Sequence, residues 1–427
     1  MDRLLFFTAL ILFAGFLVVN LVFGKVNAIK RTSLVLSYQW EERFGKDLID
    51  ALIGEFGERN PELLIRKELP AKNGARAKAP DILLFGESEY RELAGKGVLA
   101  PLNRYGFSET GLERRAVPLV SFMDLLFYNI NLLKAAGFDR PPKNRAEFLA
   151  CANAITAGVD GGDLKGVYAV GLALSSGDPL SIRREIFSRI WASGAPLFQD
   201  GKPYFGGRAA VETLDFFDRL KQDGSIAPDA FDKTGAELAA DFAGGRIAMM
   251  VASAREIPEL RKRMGDSAFG ITVIPGTAEI PGQNRIALLS WYAGISADCA
   301  RADEARTFLD FLAEKGSVLA ARMEAAPGSL PLDNIIPHAG SFPELYIRND
   351  PLYSKAWEIY EAAEPVEEFS GMPEAAEYEG IVREELVKFF GEGQRAAETA
   401  GAVQKRWAAL NDEIAAARQQ RATPRAP

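Results

Sequence analysis

The chain has 427 residues, enough for two or three domains of ~100–200 residues each, and 48% hydrophobic with 25% charged residues describes a globular protein with a large core. Fifty basic against 58 acidic residues give a formal charge of −8, so the molecule lacks the positive field that holds nucleic-acid phosphates. One histidine, His338, and two cysteines, Cys151 and Cys299, exclude a His/Cys zinc centre of three or four ligands and an HExxH protease.

Leu4 to Phe23 is a run of twenty residues broken only by Thr8, Gly15 and Asn20, with Arg3 before it and Lys25, Lys30 and Arg31 after it. Such a run predicts export or anchoring. Twenty helical residues span about 30 Å, the bilayer core, which favours an uncleaved anchor, whereas Val26-Asn27-Ala28 is close to an A-x-A cleavage site. Residues 1–28 are therefore expected to be a signal peptide or a membrane anchor. The remainder is expected to work in the periplasm or on the extracytoplasmic face of the cytoplasmic membrane.

From Thr32 onward short β-rich runs alternate with amphipathic helical patterns, the α/β signature. Strands are expected at Ser33–Tyr38, Leu63–Ile65, Asp81–Phe85, Val117–Asn129, Ile247–Ala252, Phe269–Ile274 and Ile286–Ile295. Helices are expected at Glu42–Arg59, Ile130–Ala136, Glu147–Ala157, Ser181–Ser193, Ala209–Gln222, Ala236–Ala243 and Ala302–Ala321, with a mostly helical stretch from Phe342 to Trp407. Lys72–Lys78 is expected to be a loop and residues 419–427 a solvated tail. The cysteines read as buried small hydrophobes rather than a disulfide. No GxSxG elbow, GxxxxGK[ST] phosphate loop or GxGxxG dinucleotide turn occurs, so no catalytic residue, cofactor or metal site is assigned.

One ordered set of motifs is more specific. Pro118-Leu119-Val120, Leu126-Phe127-Tyr128-Asn129, Leu132-Leu133-Lys134-Ala135-Ala136-Gly137-Phe138, Pro141-Pro142 and Glu147-Phe148 occur in succession. Pro80-Asp81-Ile82, Leu93–Leu102, Gly194–Lys202, Phe242–Val251 and Ala302–Leu312 flank them. Together, over about Ser33 to Trp407, they resemble the extracellular solute-binding proteins of ABC importers, in the sugar-binding family that includes maltose-binding protein.

The resemblance implies a two-lobed periplasmic-binding-protein-like α/β fold, with a hinge and a ligand cleft between the lobes. By position in the family pattern, chain crossings should lie near Ser121–Asp124, Arg285–Leu289 and Ala326–Leu332. Lobe one would then be 33–121 with 289–327, and lobe two 124–285 with 331–418. The implied partners are a small solute, most naturally a sugar, and the permease subunits of an ABC transporter. The membrane is a third partner if the N-terminal helix is retained.

In such folds ligands sit beyond the carboxyl ends of strands, between the lobes. A sugar offers apolar C–H faces and a rim of hydroxyls, so its site needs flat rings and polar side chains. Tyr38, Gln39 and Trp40 follow the first strand, and Glu87 and Ser88 follow the third. Asp124 lies at the first crossing, and Ser290, Trp291 and Tyr292 follow the second. Trp191 precedes the Gly194 loop, although its helix has an apolar face that competes for it. Where the family often has a Gly-Ser-Trp turn this chain has Ser253-Ala254-Arg255, and an arginine there raises an acidic or phosphorylated sugar beside neutral ones. Tyr378 falls near another family aromatic contact. The alternatives are a membrane-tethered glycan-processing enzyme using a carboxylate pair, and a tethered sensor subunit.

Overall fold

The computed structural model describes residues 31–37, 46–68, 80–102, 113–160, 164–277, 285–314 and 350–422. The N-terminal apolar segment, Tyr38, Gln39 and Trp40, the Lys72–Lys78 stretch and the third expected crossing lie outside the described residues. Among the described residues no helix is long and apolar enough to cross a membrane.

β1 (Thr32–Ser37) leads towards α1 (Lys46–Arg59), which returns the chain to β2 (Leu63–Glu68), parallel to β1. β3 (Ile82–Gly86) pairs parallel to the other side of β1 and runs directly into α2 (Glu87–Gly95). Parallel strands need crossovers and are covered on both faces, which is why β1 and β3 read as short apolar runs, whereas β2, last in the strand order, alternates and ends in charged residues.

β4 (Val117–Asn129) and β10 (Arg285–Ile295) are the long strands that organise the molecule. Between them in sequence come α3 (Ile130–Ala135), α4 (Arg145–Asp160), β5 (Tyr168–Val170) and a π-helical turn at Arg183–Phe187 that continues into α5 (Ser188–Trp191). Next are the hairpin β6 (Phe198–Gln199) and β7 (Lys202–Pro203), α6 (Arg208–Gln222), α7 (Gly235–Ala243) and β8 (Ile247–Ser253). A 3₁₀ turn at Ala254–Glu256, α8 (Ile257–Met264) and β9 (Phe269–Thr272) complete this part. After β10 come α9 (Ala302–Glu314), α10 (Pro351–Glu361), β11 (Glu364–Val366), α11 (Ala375–Glu392) and α12 (Ala396–Ala422). Helix continues to Ala422, into the stretch 419–427 expected to be a tail.

β4 lies antiparallel to β10 up to Met123, which pairs with Leu288, and from Asp124 onward it is antiparallel to β8. β10 in turn joins β11 through Arg285–Ala287, β4 through Leu288–Ala293, and β3 through Trp291–Ile295. The strand order is β2-β1-β3-β10-β4-β8-β5. The apolar interior divides at the same places. One cluster collects Leu34 to Phe122 with Trp291 to Leu312. Two others collect Met123 to Leu288 with residues from Leu352 to Trp407. Two separately packed interiors, joined by strands that exchange partners in mid-course, make the two-lobed α/β fold.

Candidate functional site

Where the strands exchange partners, a cavity of about 520 Å³ opens between the two interiors. One wall is the β3–α2 junction, Gly86 to Glu89, with Leu288, Leu289 and Trp291 of β10. The facing wall comprises Asp124 of β4, the 177–184 segment, the start of α7 at Thr234–Ala236, and the end of β8 with the turn after it. Trp291 is 7% exposed and packs edge-to-face on Phe122 with ring centroids 5.2 Å apart. Its indole is fixed by the core behind it while its remaining surface faces the cavity.

The charges on the walls are paired in a definite pattern. Arg183 is buried, lies 3.2 Å from Glu87 and donates to the Leu288 carbonyl at 2.8 Å. The second Glu87 oxygen accepts the Tyr292 hydroxyl at 2.6 Å, and burial followed by the Glu87 charge drives that phenol well above its ordinary value. Arg184 donates to Asp178 at 2.6 Å, and Asp178 also accepts the backbone N–H groups of Leu180 and Gly235. Arg255 sits 5.7 Å above the Trp291 ring and 3.4 Å from Glu256. Glu89 accepts the Gly86 N–H at 2.6 Å at the start of α2, where a carboxylate suits the positive end of the helix.

Asp124 stands apart. It is 7% exposed and lines the cavity, and its side chain makes no hydrogen bond or ion pair among the described residues. Burial pushes its carboxyl up to about 6, although Arg184 and Arg183 pull the other way.

Of the residues expected from sequence, Glu87, Ser88, Asp124, Ser253, Arg255 and Trp291 are brought together on this cavity. The others are spent elsewhere. Trp191 is fully buried in the larger interior, and its indole N–H donates to Glu368 at 2.6 Å. Tyr378 is likewise buried against Trp407, with its hydroxyl donating to Asn411. Tyr292 turns behind the wall to Glu87, and Ser290 bonds the Ser121 hydroxyl across the β4–β10 pair at 2.7 Å. The sequence reading omitted Asp178, Arg183, Arg184 and Thr234. The signal available for the two arginines was Arg183, Arg184, Glu185 and Arg189 set among Ile182, Ile186 and Ile190. A helix buried on every side must find partners for its charges inside the protein, as Arg183 and Arg184 do in Glu87 and Asp178.

A cleft between two lobes, lined by a ring and paired polar groups, defines a protein that encloses a small ligand. The bacterial extracellular solute-binding protein family model matches residues 65–318, and the chain belongs to that family. It is a binding protein that acts outside the cytoplasm. Solved structures share the fold. The sugar-binding protein MalE from Xanthomonas citri is 18% identical, over 91% of this chain and 98% of that one, with a TM-score of 0.69. The cyclic alpha-maltosyl-1,6-maltose binding protein from Arthrobacter globiformis is 15% identical, over 89% and 99%, with a TM-score of 0.68. A chitin oligosaccharide binding protein is 20% identical, over 90% and 100%, with a TM-score of 0.64.

Proposed function

We propose that this protein captures a carbohydrate or related polyol in the cavity between its lobes and delivers it to the permease of an ABC transporter. The observation that carries the reading is the cavity itself, with Trp291 as a stacking face and Asp124 as an uncommitted acceptor on the opposite wall. About 520 Å³ is within the range of small-molecule sites. The proposed contacts are Trp291, Asp124, Glu87, Ser88, Ser253 and Arg255, with Asp178 and Thr234 added. The lobe limits 33–121 with 289–327 and 124–285 with 331–418 belong to this proposal, as does an N-terminal segment that exports or tethers the protein.

A solute that touches both walls binds the closed arrangement better than the open one, so closure follows from differential affinity. Three fold relatives that are sugar-, chitin-oligosaccharide- and cyclic maltosyl-maltose-binding proteins support the solute class. The test is a thermal-shift screen of neutral, amino, acidic and phosphorylated sugars and polyols, followed by calorimetry on any hit. Ligand that binds only the folded state raises the melting temperature. Stabilisation by a sugar supports the reading, and stabilisation confined to non-carbohydrate solutes refutes it.

A further inference from the structure

We propose that the captured carbohydrate carries a protonated amine, and that Asp124 is the residue that selects it. This rests on the reading of the cavity as a carbohydrate site.

The charge pattern of the walls carries the inference. Each of the three guanidiniums on the cavity already faces a carboxylate: Arg183 on Glu87, Arg184 on Asp178, and Arg255 on Glu256. An anionic solute would have to take a guanidinium from an existing partner and leave that carboxylate exposed to the new charge. Of the five acidic side chains on the walls, Glu89 is held by the Gly86 N–H at the start of α2. The Asp124 carboxylate makes no hydrogen bond or ion pair among the described residues, although the Arg184 and Arg183 charges act on it, and it is more than nine-tenths buried. The groups around it are Arg183, Arg184 and Glu185 of the π turn and Asp178 of the preceding segment. Arg189 one turn on feels the Asp124 charge but pairs with Glu185, and the neighbouring strand β8 offers Ser253 opposite Asp124.

A carboxylate in this position is costly while the cleft is empty, since burial without a partner disfavours its charge. A hydroxyl would give it a hydrogen bond and bring no opposite charge beyond that of Arg184 and Arg183, which already pair with other carboxylates. An ammonium supplies both the donor and the opposite charge. The amine, rather than the ring hydroxyls it shares with every sugar, is then what distinguishes the solute.

The test uses three disaccharides of one backbone: cellobiose, N,N′-diacetylchitobiose, and the fully deacetylated glucosamine disaccharide. Calorimetry on the full chain should give the deacetylated compound at least about 30-fold tighter binding than the two neutral ones, the usual scale for a buried charge pair. Its affinity should be bell-shaped in pH, falling below about 6 as Asp124 takes a proton and above about 8 as the amine loses one, as an α-amino group does. Asp124→Asn should abolish that preference. Without ligand, the same variant should melt about 2–4 °C higher at pH 8, because it removes an uncompensated buried charge. Equal or tighter binding of a neutral disaccharide, or a flat profile between pH 6 and 9, overturns the amine and leaves the carbohydrate reading intact. Binding of none of the three, with a hit on a non-carbohydrate in the wider screen, overturns both. A lower melting temperature for Asp124→Asn would show that the carboxylate has a structural partner, and it too overturns the proposal.

Discussion

Replacing Glu379 with alanine should destabilise the protein far more than a surface ion pair would predict. Glu379 of α11 meets Arg91 of α2 through two contacts. Nη1 donates to Oε2 at 3.0 Å, and Nη2 lies 2.9 Å from Oε1. The side chains are 7% and 5% exposed. Burial opposes the Arg91 charge, yet Glu379 and then Glu87 more than offset this and raise its proton affinity. Arg183, Glu87, Arg91 and Glu379 thus form a buried sequence of alternating charge, from the π turn through α2 to α11. Removing Glu379 takes from the buried Arg91 guanidinium its one hydrogen-bonded carboxylate among the described residues and should cost about 3–5 kcal/mol. With an unfolding entropy of about 2.1 cal/mol/K per residue over roughly 400 residues, that is a fall of about 4–6 °C in Tm. The double variant Arg91→Met with Glu379→Met, which removes both charges and keeps the volume, should recover to within about 1 °C. Differential scanning calorimetry at pH 7 measures all three proteins, with Glu398→Ala as the exposed control, since its pair with Arg395 is 85% and 57% exposed and is worth well under about 1 kcal/mol. A Glu379→Ala shift no larger than the control's would mean that the pair is solvated and the burial reasoning wrong.

The other expectations are briefer. Trp291→Ala should weaken an identified sugar by about 30-fold, the loss of roughly 2 kcal/mol typical of a buried aromatic anchor; calorimetry showing unchanged affinity would remove the ring from the site. Arg255→Ala should alter the binding of glucuronate no more than that of glucose, because the guanidinium already faces Glu256. Gly371→Ala should lower Tm by several degrees: its φ is +65°, and a Cβ there would lie 2.5 Å from the Tyr90 ring, so both backbone and ring must move. Iodoacetamide at pH 8 should label Cys299 before Cys151, whose thiol burial pushes up to about 11, and mass spectrometry of the native protein reads the order.

The crossing strands were legible because burial on both faces leaves a long apolar trace. Val117–Asn129 and Ile286–Ile295 stand out, and the structure gives strands over Val117–Asn129 and Arg285–Ile295. Helix α2 was not legible, because its sequence ESEYRELAG has few apolar positions and the residues it buries are Glu87, Tyr90 and Arg91. A pattern that assigns charges to solvent turns such a helix inside out. The same inversion concealed Arg183 and Arg184. At Trp191 and Tyr378 the family order of motifs implied ligand contacts, but packing buries both rings and neither lines the cavity. Sequence spacing fixes which residues share an element, whereas the face a ring presents depends on contacts such as Glu368 with Trp191, 177 positions apart.

Asp124 and Trp291 reach the cavity from the two strands that also join the interiors, each within a few residues of the point where its strand exchanges partners. On the proposed closure, the pocket walls would then move together with the lobes. Glu87 would couple that movement to the buried charge sequence, because its carboxylate touches Arg183 and Tyr292 while its residue lines the cavity. Two kinds of mutation should then separate cleanly. A change in the charge sequence away from the walls, such as Glu379→Gln, alters only the fraction of molecules competent to close, and apparent affinity for every solute shifts by the same factor. A change on the wall, at Trp291 or Asp124, alters contacts, and its effect depends on the solute. If Glu379→Gln instead reordered solute preferences, the coupling would run through the shape of the pocket rather than through closure.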